Sequence, residues 1–146
     1  MKSKPPFYLQ ETPNSCVPAC LRMILETFEI IRSEGELRQM CDCTIFGTNA
    51  LQAIEAGKQL GLRKTYKTNL TIQQLIALLE QHICPIVYVE LMPIDNERGA
   101  HALIVVSASD SIVAVLDPLR GHRQLNRPTF EDAFRLMNGL TIVLSR

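Results

Sequence analysis

After Asn14-Ser15, apolar residues recur at three- and four-residue steps: Val17, Leu21, Ile24, Leu25, Phe28 and Ile31. That spacing lays them along one helical face and predicts a helix over about residues 16–30. Pro18 suits its first turn, and Ser15 or Asn14 is placed to cap it. A shorter helix is predicted over about 34–40, behind Ser33. Another follows over about 49–60, with Thr48 before it and Gly61 placed to end it. Thr71 and Gln74 make a capping box in front of Leu75, Ile76, Leu78 and Leu79, and that helix is expected to end near His82.

From Pro85 the pattern changes to β-branched runs, which predict strands over 85–91, 102–106, 112–116 and 140–144. Residues 129–137 read as one amphipathic helix inserted before the last strand, with Phe130, Ala133, Phe134 and Met137 on one side. No repeat, low-complexity stretch or Gly/Ser linker divides the chain. The expected fold class is therefore α+β in a single domain. A helical lobe over about 1–83 would face an antiparallel sheet lobe over about 84–146 across a cleft.

Composition narrows what such a domain does. The chain has 146 residues, 47% of them hydrophobic, with 15 basic residues against 15 acidic ones. A formal net charge of zero provides no basic field for a phosphate backbone, so nucleic acid is disfavoured as a partner. No window approaches the roughly 18 apolar residues of a membrane span, and the start, Met1 to Pro6, lacks the apolar region of a secretory signal. A cytoplasmic location without membrane insertion is expected. Five cysteines, at positions 16, 20, 41, 43 and 84, do not form the even framework of a disulfide-rich domain and read as thiols.

One of those thiols is well placed for chemistry. Cys16 stands where a helix begins, close to unsatisfied backbone N–H groups and the positive end of the dipole, both of which favour thiolate. A thiolate nucleophile needs a base, and the chain offers His82, His101 and His122. His101 opens a strand, whereas His82 ends a helix and His122 falls in a Gly-Arg-rich loop where exposure is expected. Ser107 to Ser111 is a turn signal, so strands 102–106 and 112–116 should form a hairpin. A turn centred on Ser109 sets His101 directly opposite Asp117, and Pro118 stops the ladder just beyond. Asp117 can then fix the imidazole tautomer and stabilise the imidazolium. The backbone N–H of Cys16 supplies one donor for an oxyanion, and Gln10, six residues upstream, can add its side-chain amide.

These residues resemble a known group. The run from Gln10 through Cys16 to Cys20-Leu21, then His101-Ala-Leu-Ile-Val-Val106, then Asp117-Pro118, is similar to the double-glycine leader peptidases, papain-like cysteine peptidases best known as N-terminal domains of peptide-exporting ABC transporters. The likeness extends over nearly the whole chain. Residues 47–51 leading to Leu60-Gly-Leu62, and the closing segment 130–144, follow the same layout. The resemblance implies Cys16 as nucleophile, His101 as base, Asp117 as orienting acid and Gln10 as the oxyanion-hole side chain. It also implies a precursor peptide with a leader as substrate, cut after a Gly-Gly junction, an ABC transporter as partner, and a place at the cytoplasmic face of the membrane where the domain serves one. The chain departs from the family at Val17, where glycine usually follows the nucleophile and a branched side chain would narrow or reshape the cleft, and at Ser15, where aspartate is common.

Two other classes use the same residues differently. A catalytically idle module of this fold would hold a peptide without cutting it. A zinc site would recruit Cys41 and Cys43, with Cys16 and Cys20 completing the set, but Cys41-Asp-Cys43 is tighter than the usual two to four intervening residues. No cofactor or metal is expected. Cys20 and Cys84 are expected to pack as small hydrophobes, and the oligomeric state is left open.

Overall fold

A computed structural model describes residues 4–44 and 47–146. Along the chain come α1 (Cys16–Thr27), α2 (Glu34–Met40), α3 (Ala50–Gln59), β1 (Tyr66–Asn69), α4 (Ile72–Glu80), β2 (Ile86–Glu90) and α5 (Met92–Asp95). They are followed by β3 (Ala100–Ala108), β4 (Ile112–Asp117), β5 (Gly121–Asn126), α6 (Arg127–Leu136) and β6 (Leu140–Val143).

Local chemistry sets most of these boundaries. Three helices begin at full capping boxes: Ser33 with Glu36, Asn49 with Gln52, and Thr71 with Gln74. The cap of α3 is thus Asn49 and not Thr48. Asn126 accepts the Thr129 N–H, with a proline in the first turn, and so starts α6 two residues earlier than the pattern predicts. The first helix is shorter than predicted: the Phe28 N–H turns to the Leu25 carbonyl, Glu29 takes φ 62°, and Ile31 is left outside, 65% exposed.

The six strands form one antiparallel sheet in the order β1-β6-β2-β3-β4-β5. The expected α+β class is what the chain adopts, with three helices leading, β1 and α4 next, and α5 and α6 set among the later strands. Three elements were not predicted. Strand β1 is a largely exposed edge strand of polar character, α5 is a single turn, and β5 (Gly-His-Arg-Gln-Leu-Asn) contains no β-branched residue. His122 therefore lies in a strand and not in a loop, though it is exposed as expected.

Strand alternation divides the interior into two cores. On one side, Leu21, Met23, Ile24 and Leu25 of α1 pack with Leu37, Ala53 and Ile54 against Ile86, Tyr88, Ala102, Ile104 and Ile142. On the other, Phe130, Ala133 and Phe134 of α6 and Leu75 of α4 cover Val87, Val89, Leu103, Val105, Val113 and Val115. The first half of the chain therefore contributes to both faces of the sheet. Among the described residues, no helix is long and apolar enough to cross a membrane.

The link from α6 to β6 depends on a glycine. Gly139 has φ +66°, and a Cβ there would stand 2.0 Å from the Leu70 carbonyl oxygen, whose residue donates its own N–H back to Gly139 at 2.9 Å. Backbone closes the space, so no side chain can give way. Gly139→Ala should destabilise the fold by more than about 2 kcal/mol, measured by urea unfolding. Gly61→Ala, at φ +97° with nothing within 4 Å of its Cβ, should cost only about 1 kcal/mol. Equal costs would mean that the close approach at Leu70 is not a constraint.

Candidate active site

Cys16 is the first residue of α1, and backbone N–H groups of the loop before it fasten that loop to the rest of the fold. The Gln10 N–H donates to the Pro118 carbonyl at 2.7 Å, tying the loop to the end of β4. The Glu11 N–H donates to Glu34 Oε1 at 2.9 Å. Glu34 is 1% exposed, and its other oxygen accepts from Arg38 at 2.5 Å, so the buried carboxylate is paired. Ser15 occupies the cap position of α1 but does not cap it. Its hydroxyl donates to the Thr12 carbonyl at 3.1 Å and accepts the Thr12 N–H at 3.0 Å. The first-turn N–H groups beside Cys16 thus have no side-chain partner, which leaves them available to an anion.

His101 and Asp117 meet, by a route different from the predicted one. The reversal spans Ser109 to Ile112, with the Ser109 N–H on the Ile112 carbonyl at 2.8 Å, and a bulge lies between Val105 and Ser107. Ile104 pairs with Leu116, so the continued register sets Asp117 opposite Leu103, not opposite His101. The displacement is by two residues, an even number, so both side chains stay on the same face. They join diagonally: His101 Nε2 lies 2.7 Å from Asp117 Oδ1. Cys16 lies close enough to raise the ring's pKa, and with Nε2 taken by Asp117 the nitrogen left to serve it is Nδ1.

The pair is buried, His101 at 6% and Asp117 at 0% exposure. Burial opposes the charged ring, but the Asp117 hydrogen bond and the charges of Cys16 and Asp117 nearby outweigh it and push the His101 pKa up to about 9. Burial likewise opposes the Asp117 carboxylate. The His101 bond and charge, the Leu119 N–H at 2.9 Å and the Arg123 guanidinium outweigh it and bring the pKa down to about 2. Arg123 on β5 donates from Nη1 to Asp117 Oδ2 at 3.1 Å and grips Asp95 of α5 at 2.8 and 3.1 Å. Neither Arg123 nor Asp95 was found from sequence. The available signal was the Asp117-to-Gly121 turn, which sets β5 in register with β4 and Arg123 opposite Val115, diagonal to Asp117.

The remaining candidates sort themselves by burial. Val17 is 1% exposed within the first core, so its branched side chain fills the interior and does not narrow a cleft. Cys20 and Cys41 are fully buried, and burial pushes both thiols up, Cys41 to about 12. Cys43 directs its thiol to the Asn14 carbonyl at 3.6 Å. His82 is exposed, and exposed His122 lies against the Phe7 ring at 5.4 Å. Gln10 Nε2 donates to the carbonyls of Thr12 at 2.9 Å and Pro13 at 3.2 Å, while its Oε1 is buried without a partner. The amide thus braces the loop that delivers Cys16.

A family model described as the Peptidase C39 family matches residues 4–145. A search of curated proteins gives no match. Among solved structures, the peptidase domain of Streptococcus ComA, a bifunctional ABC transporter involved in a quorum-sensing pathway, is similar with TM-score 0.81 at 22% identity, covering 99% of this chain and 100% of that one. A double-glycine-motif protease from an AMS/PCAT transporter, solved with its leader peptide, is similar at TM-score 0.77 and 19% identity, covering 97% and 91%. A C39-like peptidase from Bacillus anthracis gives 0.78 and 14%, covering 97% and 94%. At these identities the likeness to the solved structures is one of fold.

The paired shifts set a pH window for stability. His101, raised from 6.5 to about 9, contributes stability that is full below 6.5 and is lost as pH rises through about 9. Asp117, lowered from 3.8 to about 2, contributes stability present above 3.8 and lost as pH falls through about 2. In urea unfolding, the advantage of the wild-type chain over His101→Gln should shrink as pH rises from 6.5 to about 9. A gap that stays constant over that range would show that the folded state does not favour the imidazolium.

Proposed function

The chain belongs to the Peptidase C39 family and is a cysteine peptidase, and from that premise we propose that it removes the leader from a precursor peptide after a Gly-Gly junction by Cys-His-Asp catalysis. The observation that carries the mechanism is the buried His101 ring 2.7 Å from the Asp117 carboxylate, with Cys16 close enough to raise its pKa. His101 takes the thiol proton as Cys16 attacks the scissile carbonyl. The imidazolium returns that proton to the leaving amine, and water, deprotonated by the same ring, hydrolyses the thioester. Asp117 holds Nε2, which keeps Nδ1 turned to sulfur.

The oxyanion would form beside the uncapped start of α1, where the Cys16 N–H is one donor. Gln10 is the second. To serve, its amide exchanges the longer of its two bonds, the one to Pro13, for the oxyanion. Substrate choice is proposed from the family together with the double-glycine protease of similar fold that was solved with a leader peptide. Glycine lets an extended backbone enter a slot that a Cβ would block, and the upstream leader supplies binding energy that positions the scissile bond. A peptide-exporting ABC transporter is the proposed partner, since the similar domains come from transporters.

Incubation with a peptide carrying a Gly-Gly leader junction, followed by mass spectrometry, should show cleavage after the second glycine, and leucine at either glycine should abolish it. Binding without cleavage would favour the idle module instead. Cys16→Ala and His101→Ala should each remove turnover, with exposed His82→Ala and His122→Ala close to wild type. Gln10→Ala should lower kcat by roughly 10- to 1,000-fold. Brief iodoacetamide labelling should reach Cys16 before the other four cysteines, and Cys43 labelling first would count against the nucleophile.

A further inference from the structure

Asp117 is held from both neighbouring strands, and the second partner has no part in the mechanism above. Its Oδ1 accepts from His101 Nε2 and the Leu119 N–H, while Oδ2 accepts from Arg123 Nη1 at 3.1 Å. Arg123 is itself fixed by Asp95, Nη2 to Oδ1 at 2.8 Å and Nη1 to Oδ2 at 3.1 Å. A bidentate grip fixes the plane of the guanidinium, and a guanidinium fixed in plane fixes the carboxylate it touches.

We propose that Arg123, clamped by Asp95, is a positioning residue for the reaction: it aims Asp117 Oδ1 at His101 and limits how strongly Asp117 retains the imidazolium proton. The proposal rests on the Cys-His-Asp reading for its role in catalysis, though its electrostatic half does not require turnover. With Oδ2 occupied by a cation, the oxygen left to the ring is Oδ1, which the Leu119 N–H also holds. The cation also offsets part of the negative charge that stabilises imidazolium, so the ring can release its proton to the leaving amine.

Among the described residues, the charged and titratable groups around the pair come from four elements and the turn after β4. On α1, Cys16 is within electrostatic reach of the ring and Cys20 within reach of Asp117, and Tyr88 on β2 is within reach of Cys16, Cys20 and Cys41. Strand β5 brings Arg123, and α5 brings Asp95. Arg120 stands 3.5 Å from Asp95 Oδ2 and pairs with Glu97 at 2.8 Å, which takes the chain of alternating charges out to the surface.

Alternation predicts shifts of opposite sign. Arg123→Met removes the offsetting cation, so His101 should hold its proton more strongly and titrate at higher pH by at least about half a unit. Asp95→Asn leaves Arg123 uncompensated and removes a negative charge, so His101 should titrate lower. Arg123→Lys keeps the charge without the bidentate grip, so the titration should stay near wild type while kcat falls, by roughly 10-fold. The readouts are the His101 ring titration by NMR in the intact chain and the alkaline limb of kcat/KM. If His101 titrates as in wild type in both Arg123→Met and Asp95→Asn, the proposal is wrong, and if Arg123→Met does not fold, an unmoved Asp95→Asn alone overturns it. Because the ring titration needs no turnover, opposite shifts in a chain that cuts nothing would keep the electrostatic proposal and sink the peptidase mechanism. Cleavage with unmoved titrations would do the reverse.

Discussion

The site depends on the contact between His101 and Asp117, and that contact is a matter of parity across strands. Asp117 ends β4 between two antiparallel neighbours. From β3 it receives His101 and from β5 Arg123, each one diagonal step from the residue directly opposite. All three side chains point to one face because their displacements are even. A one-residue slip on either side would turn a partner to the opposite face and leave a buried carboxylate short of a donor. The bulge near Val106 and the turn at Ser109 to Ile112 together keep the displacement even.

The sheet alone has no nucleophile, and the loop from Gln10 to Ser15 brings one to it. That loop is anchored to the sheet through the Pro118 carbonyl, one residue past Asp117, and to α2 through the buried Glu34. Ser15 then folds back onto Thr12 and leaves the helix start uncapped. A capped first turn would be more stable by about 1 kcal/mol. The open turn keeps backbone donors free beside Cys16, where the proposed chemistry develops negative charge. Stability is given up at the point where the reaction needs an electrostatic host.

Much of this was legible in the sequence, for reasons that differ by element. Helix α1 and the central strands carry strong periodicity, and α2 to α4 carry capping pairs, so their existence followed from local chemistry. Strands β1 and β5 did not, because edge strands bury little on one side and Lys67, Arg123 and Gln124 carry no signal of half-burial. Cys16, His101 and Asp117 were found from a helix start and a hairpin, and the structure brings them together even though the hairpin register was wrong. His101 and Asp117 still touch because the register error was two residues and not one. Arg123 and Asp95 were not found because they meet Asp117 only once β5 and α5 exist. The Gln10 amide came from spacing to Cys16, and spacing cannot show that its donors face Thr12 and Pro13.

The burial of Asp117 explains why the surrounding framework is so ionic in a chain of zero net charge. A carboxylate with no exposed surface pays a desolvation cost of several kcal/mol, and one imidazolium returns only part of it. The Leu119 N–H and the Arg123 guanidinium supply the rest. Arg123 is a second partly buried charge that needs its own counter-ion, which is Asp95, and Asp95 in turn stands near Arg120. Each pairing solves the problem the previous one creates, until the last member, Glu97, reaches solvent. The sequence of charges from the site to the surface therefore follows from one requirement, that an aspartate stay ionised where water cannot reach it. Strand β5, for all its weak sequence signal, is the element that meets that requirement.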